Sequence, residues 1–159
     1  MTIQATGPGL YWPMQNIASR REFGAAWVML CVAFVLHVVD EALTGFLSVY
    51  NPSVLALRDR VPWLLLPTFT FELWLTGLII ANAVLLLLSP YAFRGVRWMR
   101  PIAYGFAVIM LLNGIGHTIG TIAGQTVASV RFARPMPGFY SSPFLIAAAI
   151  YLLSRLRRP

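Results

Sequence analysis

Six residues able to do acid–base or metal chemistry fall inside apolar runs of this sequence: His37, Asp40, Glu41, Glu72, Asn113 and His117. An ionised side chain at the centre of a bilayer costs at least ~2.5 kcal/mol, so such residues face a protein interior, pair with one another or bind something. His37 and Glu41 are four residues apart and share one helical face, with Asp40 beside it. Asn113 and His117 repeat that spacing in a later run, and Glu72 is the lone charge of a third. Two histidines with carboxylates suit zinc, iron or manganese. Burial disfavours the charged form of both residue types, so the same groups suit proton donation and acceptance near neutral pH.

The elements that must carry these groups are membrane helices. Of the 159 residues 58% are hydrophobic and 11% charged, and the mean hydropathy is +0.73, more apolar surface than a soluble chain of this size can hide. The sequence predicts an all-α integral membrane protein, a four-transmembrane-helix bundle, with a polar N-terminal segment 1–22 and a membrane domain 23–159. Its spans run at about 24–49, 61–88, 101–123 and 138–154. Asn51-Pro52 and Ser89-Pro90 are read as the stops of the first two spans, and Pro101 as a first-turn proline of the third. The N-terminal segment, with Gly7, Pro8, Gly9 and Pro13 and no apolar run, does not read as a signal peptide. Gly116, Gly120 and Gly124 form a small-residue stripe that predicts close helix packing. Cys31 lies in an apolar run and reads as a small hydrophobe.

Helical rise tests whether the polar groups can meet. At ~1.5 Å per residue, His37 lies ~20 Å from the edge at Gly24, and Glu72 ~16 Å from the opposite edge at Val61. Asn113 and His117 lie ~18 and ~24 Å from the first edge. All of them are therefore expected in one layer.

Every one of the twelve basic residues is arginine. Arg20, Arg21, Arg94, Arg97, Arg100, Arg155, Arg157 and Arg158 fall on one side of the expected bundle, and Arg58, Arg60, Arg131 and Arg134 on the other. Eight against four places both termini in the cytoplasm of a multi-pass protein of the cell membrane. A net charge of +7 and a pI of about 10.5 raise nucleic acid as a partner, but the arginines form no basic face, so the lipid bilayer is the expected partner. Trp12, Trp27, Trp63 and Trp98 lie near span ends, where tryptophan favours the interface, and Trp74 lies deeper.

The stretch His37-Val38-Val39-Asp40-Glu41 resembles the motif that names the HXXEE family of small membrane proteins, with Asp40 one methylene shorter than the motif's glutamate. Phe71-Glu72 resembles the family's acidic residue in the second span, and Asn113-Gly114-Ile115-Gly116-His117 its Asn-x-x-x-His motif. Pro137-Gly138-Phe139-Tyr140 resembles its Pro-Gly turn. Together these matches cover roughly residues 30 to 150, and what they imply is a metal-binding membrane bundle without a defined reaction. A fainter similarity links His37, Glu41, Glu72 and Asn113 to the polar inventory of the emopamil-binding sterol isomerase superfamily, by analogy only.

These readings predict an enzyme doing acid–base chemistry on a lipophilic substrate, by isomerisation, hydration or cyclisation of an isoprenoid or lipid-like molecule. Glu72 and Glu41 would donate and accept the proton, His37 would tune one of them, and Asn113, His117 and Asp40 would complete the site. Phe34, Phe69, Phe71 and Trp74 would line it. The alternative is a metal site of His37, Glu41, Glu72 and His117 holding zinc or iron/manganese. A transporter or proton relay also needs midplane ionisable groups, but four spans suit alternating access only in a homo-oligomer. A structural or partner-binding role is the residual reading.

Overall fold

The computed structural model describes residues 11–156, with side chains from Ile17 onward. Among the described residues the chain is all-helical: α1 (Tyr11–Thr44), α2 (Leu47–Arg60), α3 (Phe71–Leu87), α4 (Ser89–Arg94), α5 (Met99–Ala123) and α6 (Ser142–Leu156). Three stretches are long and apolar enough to cross a membrane: Ile17–Thr44, Phe71–Arg94, which joins α3 to α4, and Met99–Ala123. The third expected span, 101–123, lies within α5.

The other expected boundaries move, each for a local reason. The first helix stops at Thr44 and not at Asn51-Pro52. Gly45 takes φ +77°, and the Phe46 amide donates back to the Glu41 carbonyl at 3.0 Å, which closes the helix as a Schellman turn. Pro52 lies inside α2, where it forfeits one backbone bond without ending the helix. Asn51 clips a distant strand of chain instead: its Nδ2 donates to the Phe69 carbonyl at 2.9 Å and its Oδ1 accepts from the Phe69 amide at 3.1 Å. Residues 61–70, expected as the start of the second span, are not helical. Pro62 and Pro67 each lack a helix donor, and Thr70 caps α3 by accepting from the Leu73 amide at 3.3 Å. The last helix starts at Ser142 rather than at 138, because Gly138 sits at φ +84° and turns the chain. Its 15 residues, ~22 Å at helical rise, fall short of a ~30 Å hydrocarbon core.

The core forms where α1 meets α6, α4 and α3, and where α5 meets α6. Trp27, Leu30, Met99, Leu145 and Leu152 are fully buried there. α5 packs tightly against α6 at Gly114, where a Cβ would meet Ile146 and lie 3.2 Å from the Ser142 carbonyl. The expected glycine stripe is thus not the packing seam. Gly120 lies beneath Met136, Gly124 caps α5, and Gly116 faces open space.

The tryptophan belt is also rearranged. Trp63 and Trp98 are exposed, whereas Trp27 and Trp74 are buried, and the Trp12 side chain lies outside the described residues. Trp27 Nε1 donates to the Leu85 carbonyl at 3.1 Å, tying α1 to α3. Trp27→Phe keeps most of the ring and removes that bond, so a loss of about 1 kcal/mol in unfolding free energy is expected. Denaturant titration in mild detergent measures it, and an unchanged midpoint would show that the bond contributes nothing.

Candidate metal centre

Two regular helices bring the first ligands together. On α1 the four-residue spacing stacks His37 above Glu41, and on α5 His117 faces them. His37 lies seven residues before the end of α1 and His117 six before the end of α5, which places both ~10 Å below the ends of their helices. Glu41 Oε1 is 3.4 Å from His37 Nε2 and 3.1 Å from His117 Nε2. The two imidazoles meet edge to face, with centroids 4.8 Å apart. His37, Glu41 and His117 are all buried, at 0%, 4% and 3% exposure, so water does not screen the group. One ligand atom from each residue fits within 4.8 Å of the others.

A third segment closes the site. The Pro137-Gly138 turn brings Gly138 against the triad, where a Cβ would lie 2.8 Å from His117 Cε1 and 2.9 Å from Glu41 Cγ. The turn is held by α1: the Gly138 amide donates to Thr44 Oγ1 at 3.2 Å, and the Ser141 amide donates to Asp40 Oδ2 at 2.8 Å. Ser142 Oγ donates to the Gly138 carbonyl at 2.7 Å.

Ser141 Oγ lies 2.8 Å from Asp40 Oδ2 and 2.8 Å from His37 Nδ1. An ionised Asp40 only accepts, so the single hydroxyl proton goes to it and Ser141 Oγ accepts from His37 Nδ1–H. In the neutral imidazole His37 Nε2 is then the bare nitrogen, with its lone pair in the site. It makes no hydrogen bond among the described residues, although a carboxylate oxygen stands 3.4 Å away. With a neutral His37 two electron-rich atoms face each other across a dry gap, an arrangement that a bound cation would relieve. His117 Nδ1 is likewise buried without a hydrogen-bond partner among the described residues.

No protein-family model, curated protein or solved structure matches this chain. The site is therefore read from its own geometry.

Of the six residues singled out in the sequence, the structure brings His37, Glu41 and His117 together and places Asp40 behind them through Ser141. Glu72 does not join them. With residues 61–70 non-helical, it falls in the first turn of α3, exposed, where a carboxylate is favoured by the helix dipole. Asn113 is half-buried one turn before His117 and lines a groove beside the site rather than the triad. The expected aromatic lining does not converge either. Phe34 packs on Phe106, Phe69 on Tyr50, and Phe71 on Trp74, while Phe46 lies 5.7 Å from the His117 ring. Ser141 was not singled out. Its signal was a hydroxyl pair ahead of proline, Ser141-Ser142-Pro143, the usual mark of a helix start.

Proposed function

We propose that this chain is a membrane protein that crosses the bilayer four times with both termini cytoplasmic, and that it holds one divalent transition metal at His37, Glu41 and His117. The observation that carries the metal reading is the buried convergence of His37, Glu41 and His117, with His37 Nε2 making no hydrogen bond among the described residues. Ligand bonds of 2.0–2.2 Å give a tetrahedral edge of about 3.3–3.6 Å, close to the 3.4 and 3.1 Å from Glu41 Oε1 to the two imidazoles. Two histidines and one carboxylate leave a coordination position open, as in zinc hydrolases and non-haem iron enzymes, and zinc, iron and manganese all suit these donors. The purely acid–base reading loses its proposed proton donor, since Glu72 is exposed and does not join the buried triad, and the metal reading takes precedence for that reason.

Several features support the fourth crossing. The short α6 is prolonged by the turn at residues 137–141, whose Gly138 and Ser141 amides are satisfied by Thr44 and Asp40. Non-helical backbone at membrane depth is tolerated where protein groups satisfy it in this way. The kinship with the HXXEE family is carried forward on the same residues as part of this proposal.

Purified protein in nanodiscs, offered Zn2+, Fe2+ or Mn2+ and then desalted, is expected to retain one ion per chain by elemental analysis. Failure to retain any of the three overturns the reading. Ser141→Ala cuts the link that orients His37, and a ~10–100-fold weaker affinity is expected, as when other outer-shell partners of metal histidines are removed. Competition with a chromophoric chelator reads it. Equal affinities for Ser141→Ala and the parent protein would show that Ser141 does not set the His37 tautomer.

A further inference from the structure

A groove of about 480 Å³ runs between α2 and α5, within the range of small-molecule sites. Its inner wall includes His117 and Asn113, and its sides include Phe46, Tyr50, Leu112 and Gly116. No arginine, aspartate or glutamate lines it. Leu112 and Ile119 at its rim are 63% and 59% exposed on the flank of a helix long enough to cross a membrane, so the mouth opens sideways, toward lipid. The Asn113 amide makes no hydrogen bond with the described residues, and in an apolar groove it offers a donor and an acceptor to an incoming group. Gly116 shapes the space, since a Cβ there would meet nothing within 4 Å.

We infer that this groove binds a neutral amphiphile, a hydrocarbon chain or ring system with one alcohol or carbonyl oxygen, placed with that oxygen at Asn113 beside His117. A charged head is disfavoured, because no counter-charge lines the groove and the surroundings are apolar. The hydrocarbon fits the wall of Phe46, Leu112 and Gly116, and entry is lateral from the bilayer. The inference rests on the membrane and metal readings only for the direction of entry and for what lies beside the bound oxygen.

The test uses the full chain in phosphatidylcholine nanodiscs and a diazirine-bearing hexadecanol as photoprobe, with labelled peptides mapped by mass spectrometry. Labelling is expected within residues 46–53 and 112–120, with competition by farnesol and at least tenfold weaker competition by farnesyl phosphate. Gly116→Leu projects into the groove from a position where a Cβ meets nothing within 4 Å, and is expected to cut labelling there at least tenfold. Gly105→Leu, at another glycine with open space around it, leaves labelling unchanged. Melting curves of both variants confirm folding. Labelling that ignores Gly116→Leu, or spreads evenly over exposed positions such as Ile79 and Ile80, overturns the groove in favour of bulk lipid contact. Equal competition by farnesyl phosphate overturns the neutral head. Elemental analysis of the same samples separates the two proposals: specific labelling without bound metal supports the groove and removes the metal.

Discussion

Glu41→Gln is expected to fold and to retain no metal. Glutamine has the size and shape of glutamate, and its amide oxygen still accepts from His117, so the contact at 3.1 Å survives in kind. The site loses its only anionic ligand, because the Asp40 carboxylate is already engaged by the Ser141 amide and hydroxyl. The loss in affinity should exceed the ~10–100-fold that removal of an outer-shell partner causes. Stability should respond in a crossed pattern. Without metal, the variant should unfold no more easily than the parent, since it removes a carboxylate charge from a buried site. With metal at about a hundred times its dissociation constant, the parent gains about 2.7 kcal/mol and the variant gains nothing. Thermal unfolding in one detergent, with and without Zn2+, reads both halves. If Glu41→Gln binds within threefold of the parent, the triad is not the metal site.

The sequence reached three members of the site because α1 and α5 are regular helices across the relevant turns. Counting residues along them is counting depth, and His37, Glu41 and His117 lie in one layer as that arithmetic expects. The same arithmetic failed for Glu72 because its starting point was wrong. The stretch from Val61 to Thr70 is apolar enough to read as helix, yet Pro62 and Pro67 keep it out of a helix, and ten residues of supposed rise vanish. Hydropathy alone does not separate an apolar loop from the first turns of a span. The end of α1 carries a related lesson. Proline at 52 was the louder signal, but glycine at 45 decided the break, since a left-handed residue ends a helix whereas a proline early in one costs a single bond. Asp40 was legible as a neighbour of the His37 face, but its partner was not, because Ser141 lies 101 residues away and only the fold brings it near. The groove was the least legible feature. It exists because Gly116 is left unpacked, and nothing in a glycine repeat tells a seam from a gap.

Gly138→Ala is expected to damage stability and metal binding together. Two costs add at this position. A residue with a Cβ held at φ +84° pays roughly 1–2 kcal/mol relative to glycine. The new methyl would also stand 2.8 Å from His117 Cε1, 3.0 Å from His117 Nδ1 and 2.9 Å from Glu41 Cγ, inside contact distance of two buried ligands. Overpacking of this kind costs about 1–3 kcal/mol, so the two terms together come to ~2–5 kcal/mol. For a chain of this length that is about 4–20 °C in melting temperature. Relief by movement is restricted on both sides. The Gly138 amide is bonded to Thr44 and its carbonyl accepts from Ser142, so the turn cannot retreat without breaking those bonds. The displacement must then fall on His117 or Glu41, which carries the damage into the metal site. Gly116→Ala supplies the contrast: an ordinary helical position with nothing within 4 Å, where alanine should stabilise by up to about 1 kcal/mol. If Gly138→Ala melts with the parent protein and binds metal equally well, the Pro-Gly turn does not rest on the triad, and the site is more open than this geometry requires.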